Sequence, residues 1–149
     1  MSFKRLLKMI ENEIKENNIK DKVIVQAGQT KFTSKYMEIL DLISPSKFNK
    51  LIKEADLIIT HGGVGSIITG LKENKKVIAV PRLSKYKEHE NDHQKQIVNE
   101  FTKMGYILSA NNKKELEKAL SDVKNFKPKE YKSNNNKMVK LIENYIDNL

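Results

Sequence analysis

Ala55-Asp56-Leu57-Ile58-Ile59-Thr60 runs directly into His61-Gly62-Gly63-Val64-Gly65-Ser66. The first six residues form a short, almost continuously apolar run of the kind buried in a parallel sheet, and Ile67 to Asn74 beyond the glycines reads as a helix. A glycine-rich turn between a parallel strand and a helix N-terminus presents unpaired backbone N–H groups and the positive end of the helix dipole. Such a turn suits a phosphate or diphosphate. Taken alone it is a generic anion site, compatible with any nucleotide.

Outward from that turn the same alternation of strand and helix continues in both directions. Upstream, Phe3, Leu6, Leu7, Ile10 and Ile14 recur at helical spacing and predict an amphipathic helix over residues 2–18. Val23 to Ala27 is a short apolar strand closed by Gly28, with a turn at Gln29 and Thr30. A weaker strand is predicted within residues 36–43. Ser44-Pro45 then opens a helix, Ser44 as N-cap and Pro45 at the first helical position, with Phe48, Leu51, Ile52 and Ala55 on its buried face. Downstream, Val77 to Val80 is a second strongly apolar strand, expected with Asp56 to Thr60 at the centre of the sheet. Gly70, on the helix between them, lowers helix propensity but permits close packing. Ile97, Val98, Phe101 and Met104 mark a helix ended by Gly105, Tyr106 to Ser109 a last strand, and Asn112 with Glu115 a capping box for a helix through Val123. A final helix is predicted around Met138, Leu141, Ile142 and Tyr145.

Strands and helices in this order predict an α/β fold, a doubly wound parallel sheet forming one domain over residues 1–149. Ligands of such sheets bind outside the carboxyl ends of the strands, and Gly28, His61 and Arg82 all fall at strand ends. The chain has 149 residues, of which 38% are hydrophobic and 32% charged, and no apolar run nears the ~20 residues of a membrane span. The absence of cysteine excludes disulfide and thiolate chemistry. The formal net charge of +9 fits either a solvated lysine-rich surface or an anionic partner. Nucleic acid is not expected, since no binding motif or interleaved aromatic pattern is present.

All three histidines, His61, His89 and His93, fall within a short stretch. His61 is either a strand-end side chain bonded to a neighbouring carbonyl or a site residue. No metal is expected at His89 and His93, because no third ligand stands at a recognisable spacing. The polar run Glu88-His89-Glu90-Asn91-Asp92-His93-Gln94 enters a helix, where Asn91 or Asp92 serves as a cap or as a partner for sugar hydroxyls. Arg82, just past Pro81, is either a solvated loop residue or a phosphate clamp.

The ordered set His61 to Ser66, Val80-Pro81-Arg82, Glu88-His89, Asn91 to Gln94 and Gly105-Tyr106 resembles the donor-binding half of inverting GT-B glycosyltransferases, a Rossmann-like half. It resembles the split bacterial exopolysaccharide enzymes and their dolichol-pathway N-acetylglucosaminyltransferase relative. The resemblance runs from about Val23 to Leu108. It implies a UDP-sugar donor, with uracil held at Ile43 and Ser44 and the diphosphate at Gly62, Gly63, Gly65 and Ser66. Asp92 and Gln94 would read the sugar hydroxyls, and Gly28, Arg82, His89 and His93 would lie in the same pocket. Thr69 stands where lipid II-type relatives carry a ribose-binding glutamate, a departure at that contact. His61 is the candidate catalytic residue on this chain, although the base that deprotonates the acceptor commonly belongs to the other half. No cofactor or metal is implied, since backbone amides and Arg82 can stabilise the departing UDP.

The resemblance also implies partners: a lipid-linked acceptor and a membrane-anchored, acceptor-binding subunit that would hold this chain peripherally at the cytoplasmic face of the cell membrane. Family members of this short type usually start with an apolar strand before the first helix, so the sheet is expected to lack its usual first strand. Two alternatives share the fold, a sugar-nucleotide epimerase-like domain and a non-catalytic nucleotide-binding scaffold.

Overall fold

A computed structural model describes residues 4–27, 30–61, 63–83 and 93–131. In chain order the elements are α1 (Lys4–Lys15), β1 (Ile24–Gln26), β2 (Glu38–Leu40), α2 (Pro45–Glu54), β3 (Leu57–Thr60), α3 (Val64–Lys72), β4 (Lys76–Ala79), α4 (His93–Lys103), β5 (Leu108–Ser109) and α5 (Lys113–Asp122). Each strand pairing is parallel, and the strands fall into two sets, β1-β2 and β3-β4-β5. The predicted α/β fold with helices wound on both faces is therefore present. The helix predicted near Met138 lies outside the described residues.

Alternation along β4 shows how the layers form. Ile78 and Val80 point into one core with Leu6, Met9 and Ile10 of α1 and Leu116 and Leu120 of α5. Val77 and Ala79 point into the other, with Ile67 and Leu71 of α3 and Ile97, Val98 and Phe101 of α4. All four residues are fully buried, which explains why the run carries no polar residue.

One expectation needs correction. Val77 to Val80 contributes the central strand of the three-stranded set, but Asp56 to Thr60 contributes an edge: β3 pairs with β4 alone among the described residues. Its residues alternate between half-buried and buried, Leu57 and Ile59 packing against one core and Ile58 lying in the other, so the edge is covered on both faces. The apolar run alone does not separate the two positions, because an edge flanked by helices needs the same residue types as a central strand.

The helix ends are secured locally. Ser44 Oγ accepts from Lys47 N at 3.1 Å, and Asn112 Oδ1 accepts from Glu115 N at 2.9 Å, so both predicted caps form. The Glu115 carboxylate reaches back to the Asn111 amide at 3.1 Å, one residue short of the usual capping-box partner. Lys76 Nζ donates to Val123 O at the end of α5 at 2.9 Å, a cation placed at a helix C-terminus. Gly105 closes α4 with φ of 81°, the left-handed conformation its position demands.

Candidate active site

β3 ends at Thr60, whose carbonyl accepts from Val80 N at 2.7 Å and so fixes the ends of β3 and β4 against each other. The chain then turns through His61 and Gly63 into α3. Gly63 is the N-cap, in an extended conformation and without a side-chain cap, so the first amides of α3 have no internal acceptor. A Cβ on Gly63 would stand 2.8 Å from His61 Cε1, whereas one on Gly65 would have no neighbour within 4 Å. A side chain at position 63 would thus displace the His61 ring, whereas position 65 faces open space over the helix start. Thr69, on the next turn, donates its hydroxyl to Gly65 O at 2.8 Å and so is committed to the helix backbone. Ser66 is partly exposed on the first turn.

Gln94 ties this turn to the next strand end. It is buried, its Oε1 accepts from the Arg82 amide at 3.2 Å, and its Nε2 lies 3.4 Å from His61 Nδ1. The Arg82 N–H requires the oxygen on its side, so the amide presents NH₂ to the imidazole and Nδ1 acts as acceptor. This pairing favours the tautomer with the His61 proton on Nε2. The resemblance implies that Gln94 meets sugar hydroxyls; in the structure its amide also joins two site loops whose residues are far apart in the chain.

Ala27, Thr30, Thr60, His61, Ser66 and Arg82 line the same end of a groove, at the carboxyl ends of β1 and β3. Thr30, buried at that end, was not among the candidate residues; its only sequence signal was its place in the turn after a strand. Asp21, Glu54 and Asp56 line the groove at the opposite end, so the rim that carries the glycine turn holds a guanidinium and helix-end amides while the carboxylates lie away from it. That polarity suits an anion. Ile43 and Ser44 lie between β2 and α2, with the Ser44 hydroxyl used as the α2 cap.

Gly28, Gly62, His89 and Asp92 lie outside the described residues, and α4 begins at His93. The run from His89 to His93 has the His-Glu-x-x-His order of zinc-binding helices, an order that holds a metal only when both imidazoles share a helical face and a third ligand joins them. Away from this rim, Glu13, Glu16 and Glu117 bring their carboxylates together. Lys113 serves that cluster, 2.8 Å from Glu16 and 3.6 Å from Glu13, and Glu16 in turn raises the Lys113 pKa.

The model of the glycosyltransferase family 28 C-terminal domain matches residues 1–147. The chain belongs to this family. The chain is 35% identical over 103 residues to the UDP-N-acetylglucosamine transferase subunit ALG13 of Candida albicans, covering 69% of this chain and 33% of that one. It is 31% identical over 74 residues to the Saccharomyces cerevisiae subunit of the same name, covering 49% and 35%. This family 28 domain thus spans about a third of the length of these relatives. Among solved structures, the glycotransferase of kitacinnamycin shares the fold, with a TM-score of 0.55 at 13% identity over 93% of this chain and 33% of that one. The GT-B resemblance read from the motifs is therefore met at the level of family and fold.

Proposed function

We propose that this family 28 domain is the donor-binding part of an inverting glycosyltransferase that moves a sugar from a UDP-sugar to a lipid-linked acceptor in glycan or polysaccharide biosynthesis. The observation that carries this reading is the open helix start at Gly65 on the same rim as Arg82. The α3 amides and the guanidinium are placed to take the charge that grows on the β-phosphate as the glycosidic bond breaks. Such stabilisation asks for no metal. Asp92, by its place in the motif, reads the sugar hydroxyls. His61 in its Nε2–H form donates a hydrogen bond toward the diphosphate or the sugar, and the base that deprotonates the acceptor is supplied by a second, membrane-anchored subunit. The names of the relatives, transferase subunits using UDP-N-acetylglucosamine, support both the donor class and the division into subunits. Through that partner the chain works peripherally at the cytoplasmic face of the membrane.

Calorimetry with UDP and with UDP-N-acetylglucosamine tests the donor assignment. UDP is expected to bind in the micromolar to millimolar range, and Asp92→Ala to weaken the UDP-sugar more than UDP. Equal losses remove Asp92 from the sugar site, and failure of wild-type protein to bind UDP ends the reading. Mixing the chain with an acceptor-binding membrane subunit should give turnover that neither shows alone; assembly without turnover favours a scaffold.

A further inference from the structure

The chain carries 28 basic residues but only two arginines, Arg5 and Arg82, and the two meet at one peptide bond. Arg5, half-buried on the first turn of α1, donates from Nη2 to Pro81 O at 3.2 Å and from Nη1 to Asn111 O at 2.8 Å, just past the ends of β4 and β5. The N–H of the same Pro81–Arg82 peptide donates to Gln94 Oε1 at 3.2 Å. Arg5 arrives with α1, whose Leu6, Met9 and Ile10 lie in one core, and Gln94 with α4, whose Ile97, Val98 and Phe101 lie in the other. One peptide plane is therefore held by its oxygen from one face of the sheet and by its hydrogen from the opposite face.

The double grip removes the one rotation left at this strand end. Pro81 is fully buried and its ring locks φ, so what remains adjustable is the tilt of the Pro81–Arg82 peptide, Pro81 ψ together with Arg82 φ. That tilt aims the Arg82 side chain. Arg82 lines the groove at the rim of the glycine turn, and Leu83, only 4% exposed, anchors the chain beyond it. A cation on the first turn of a helix opposes the helix dipole, so Arg5 gives α1 no electrostatic support. What Arg5 does hold is two separate carbonyls, a task for a planar fork of donors and not for the single ammonium of a lysine. Gln94 carries the same restraint onward, its Nε2 lying 3.4 Å from His61 Nδ1.

We propose that Arg5 and Gln94 are positioning residues for Arg82: gripping the Pro81–Arg82 peptide from opposite faces of the sheet, they set the direction in which its guanidinium enters the groove. Arg5 does this from behind, since of the two arginines only Arg82 lines the groove. The effect on ligand binding rests on the reading of Arg82 as the group that meets the phosphate, whereas the clasp on the peptide does not. Because both grips act on one peptide plane, they are not independent. Losing either releases the plane, and losing the second then adds less than it would alone.

The test uses the full chain with Arg5→Met, Arg5→Lys, Gln94→Leu and Gln94→Glu, and two kinds of measurement. The first needs no ligand: nuclear magnetic resonance follows amide exchange at Arg82 and the order of its Nε–H, a signal shared with only one other arginine. The second is UDP affinity by calorimetry. Arg5→Met is expected to speed exchange at Arg82 by about tenfold or more relative to the core amide of Ile78, and to loosen the Arg82 Nε–H. UDP affinity should fall by about tenfold with it. Arg5→Lys should recover only part of each loss. Gln94→Glu still accepts from the Arg82 amide but has no amide protons for His61, so it should keep the protection at Arg82 that Gln94→Leu loses. The Arg5→Met, Gln94→Leu double variant should lose less UDP affinity than the product of the single losses. Unchanged exchange and order at Arg82 overturn the proposal, as does a loss shared equally with Ile78, which marks a merely structural role. A loosened Arg82 with full UDP affinity overturns the positioning role. If the wild-type chain binds no UDP, the donor reading falls, and exchange and order at Arg82 still decide the clasp.

Discussion

Gly63, Gly65 and Gly70 stand within one turn and helix, yet each glycine is there for a different reason. Gly63 yields to the His61 ring, while a Cβ on Gly65 would meet nothing within 4 Å, so no packing demand keeps that position glycine. Replacing Gly65 with alanine should leave stability unchanged or raise it by up to about 1 kcal/mol, because alanine favours the helix. The same methyl would stand over the open helix start. UDP affinity should then fall by about tenfold or more, equivalent to ~1.4 kcal/mol, when measured by calorimetry on protein whose urea midpoint is intact. An intact fold with unchanged affinity would separate the turn from phosphate binding. The spacing of the glycines made the turn legible, since the signal is local. The bond between Gln94 and His61 was not, because nothing local marks which buried amide will meet which strand end across 33 residues.

At the scale of elements, Gly70 is the point where α3 touches the sheet. A Cβ there would approach Val77 Cγ2 to 2.9 Å and Ile58 Cδ1 to 3.1 Å, both in the core beneath the helix. Gly70→Ala should therefore destabilise by about 1–3 kcal/mol from overpacking, less whatever helix propensity returns, as read by urea denaturation. A second test concerns α1 and the loop after β1. The Ser34 hydroxyl, then Lys15 and Lys35, hold the Glu11 carboxyl below its ordinary value of 4.5. A lowered folded-state value contributes stability that is present above the unfolded value and lost as pH falls through the folded one. The Tm advantage of wild type over Glu11→Gln should accordingly be seen at pH 6 and shrink on acidification below pH 4.5. An advantage independent of pH would remove the carboxylate charge from the account. Helices and caps were readable because Ser44 and Asn112 act on residues three positions on. Strand identity was readable too, from apolar runs. Strand neighbours were not, since pairing depends on what lies alongside in space, and the edge position of β3 left no mark in Leu57-Ile58-Ile59.

For the molecule as a whole, the glycine turn and Arg82 lie at one end of the groove and Asp21, Glu54 and Asp56 at the other. The same groove has a colloidal consequence. Two strand edges that offer main-chain donors and acceptors amid apolar side chains are a template for edge-to-edge association between copies. What opposes this is charge: a formal +9 on 149 residues makes every copy repel the next. Salt shortens that repulsion from a reach of about 30 Å at 0.01 M to about 8 Å at 0.15 M. Light scattering from the chain should rise with sodium chloride at constant pH, and scattering that ignores salt would remove charge from the account. The lysines spread through nearly every segment would then act as guards of these two strand edges.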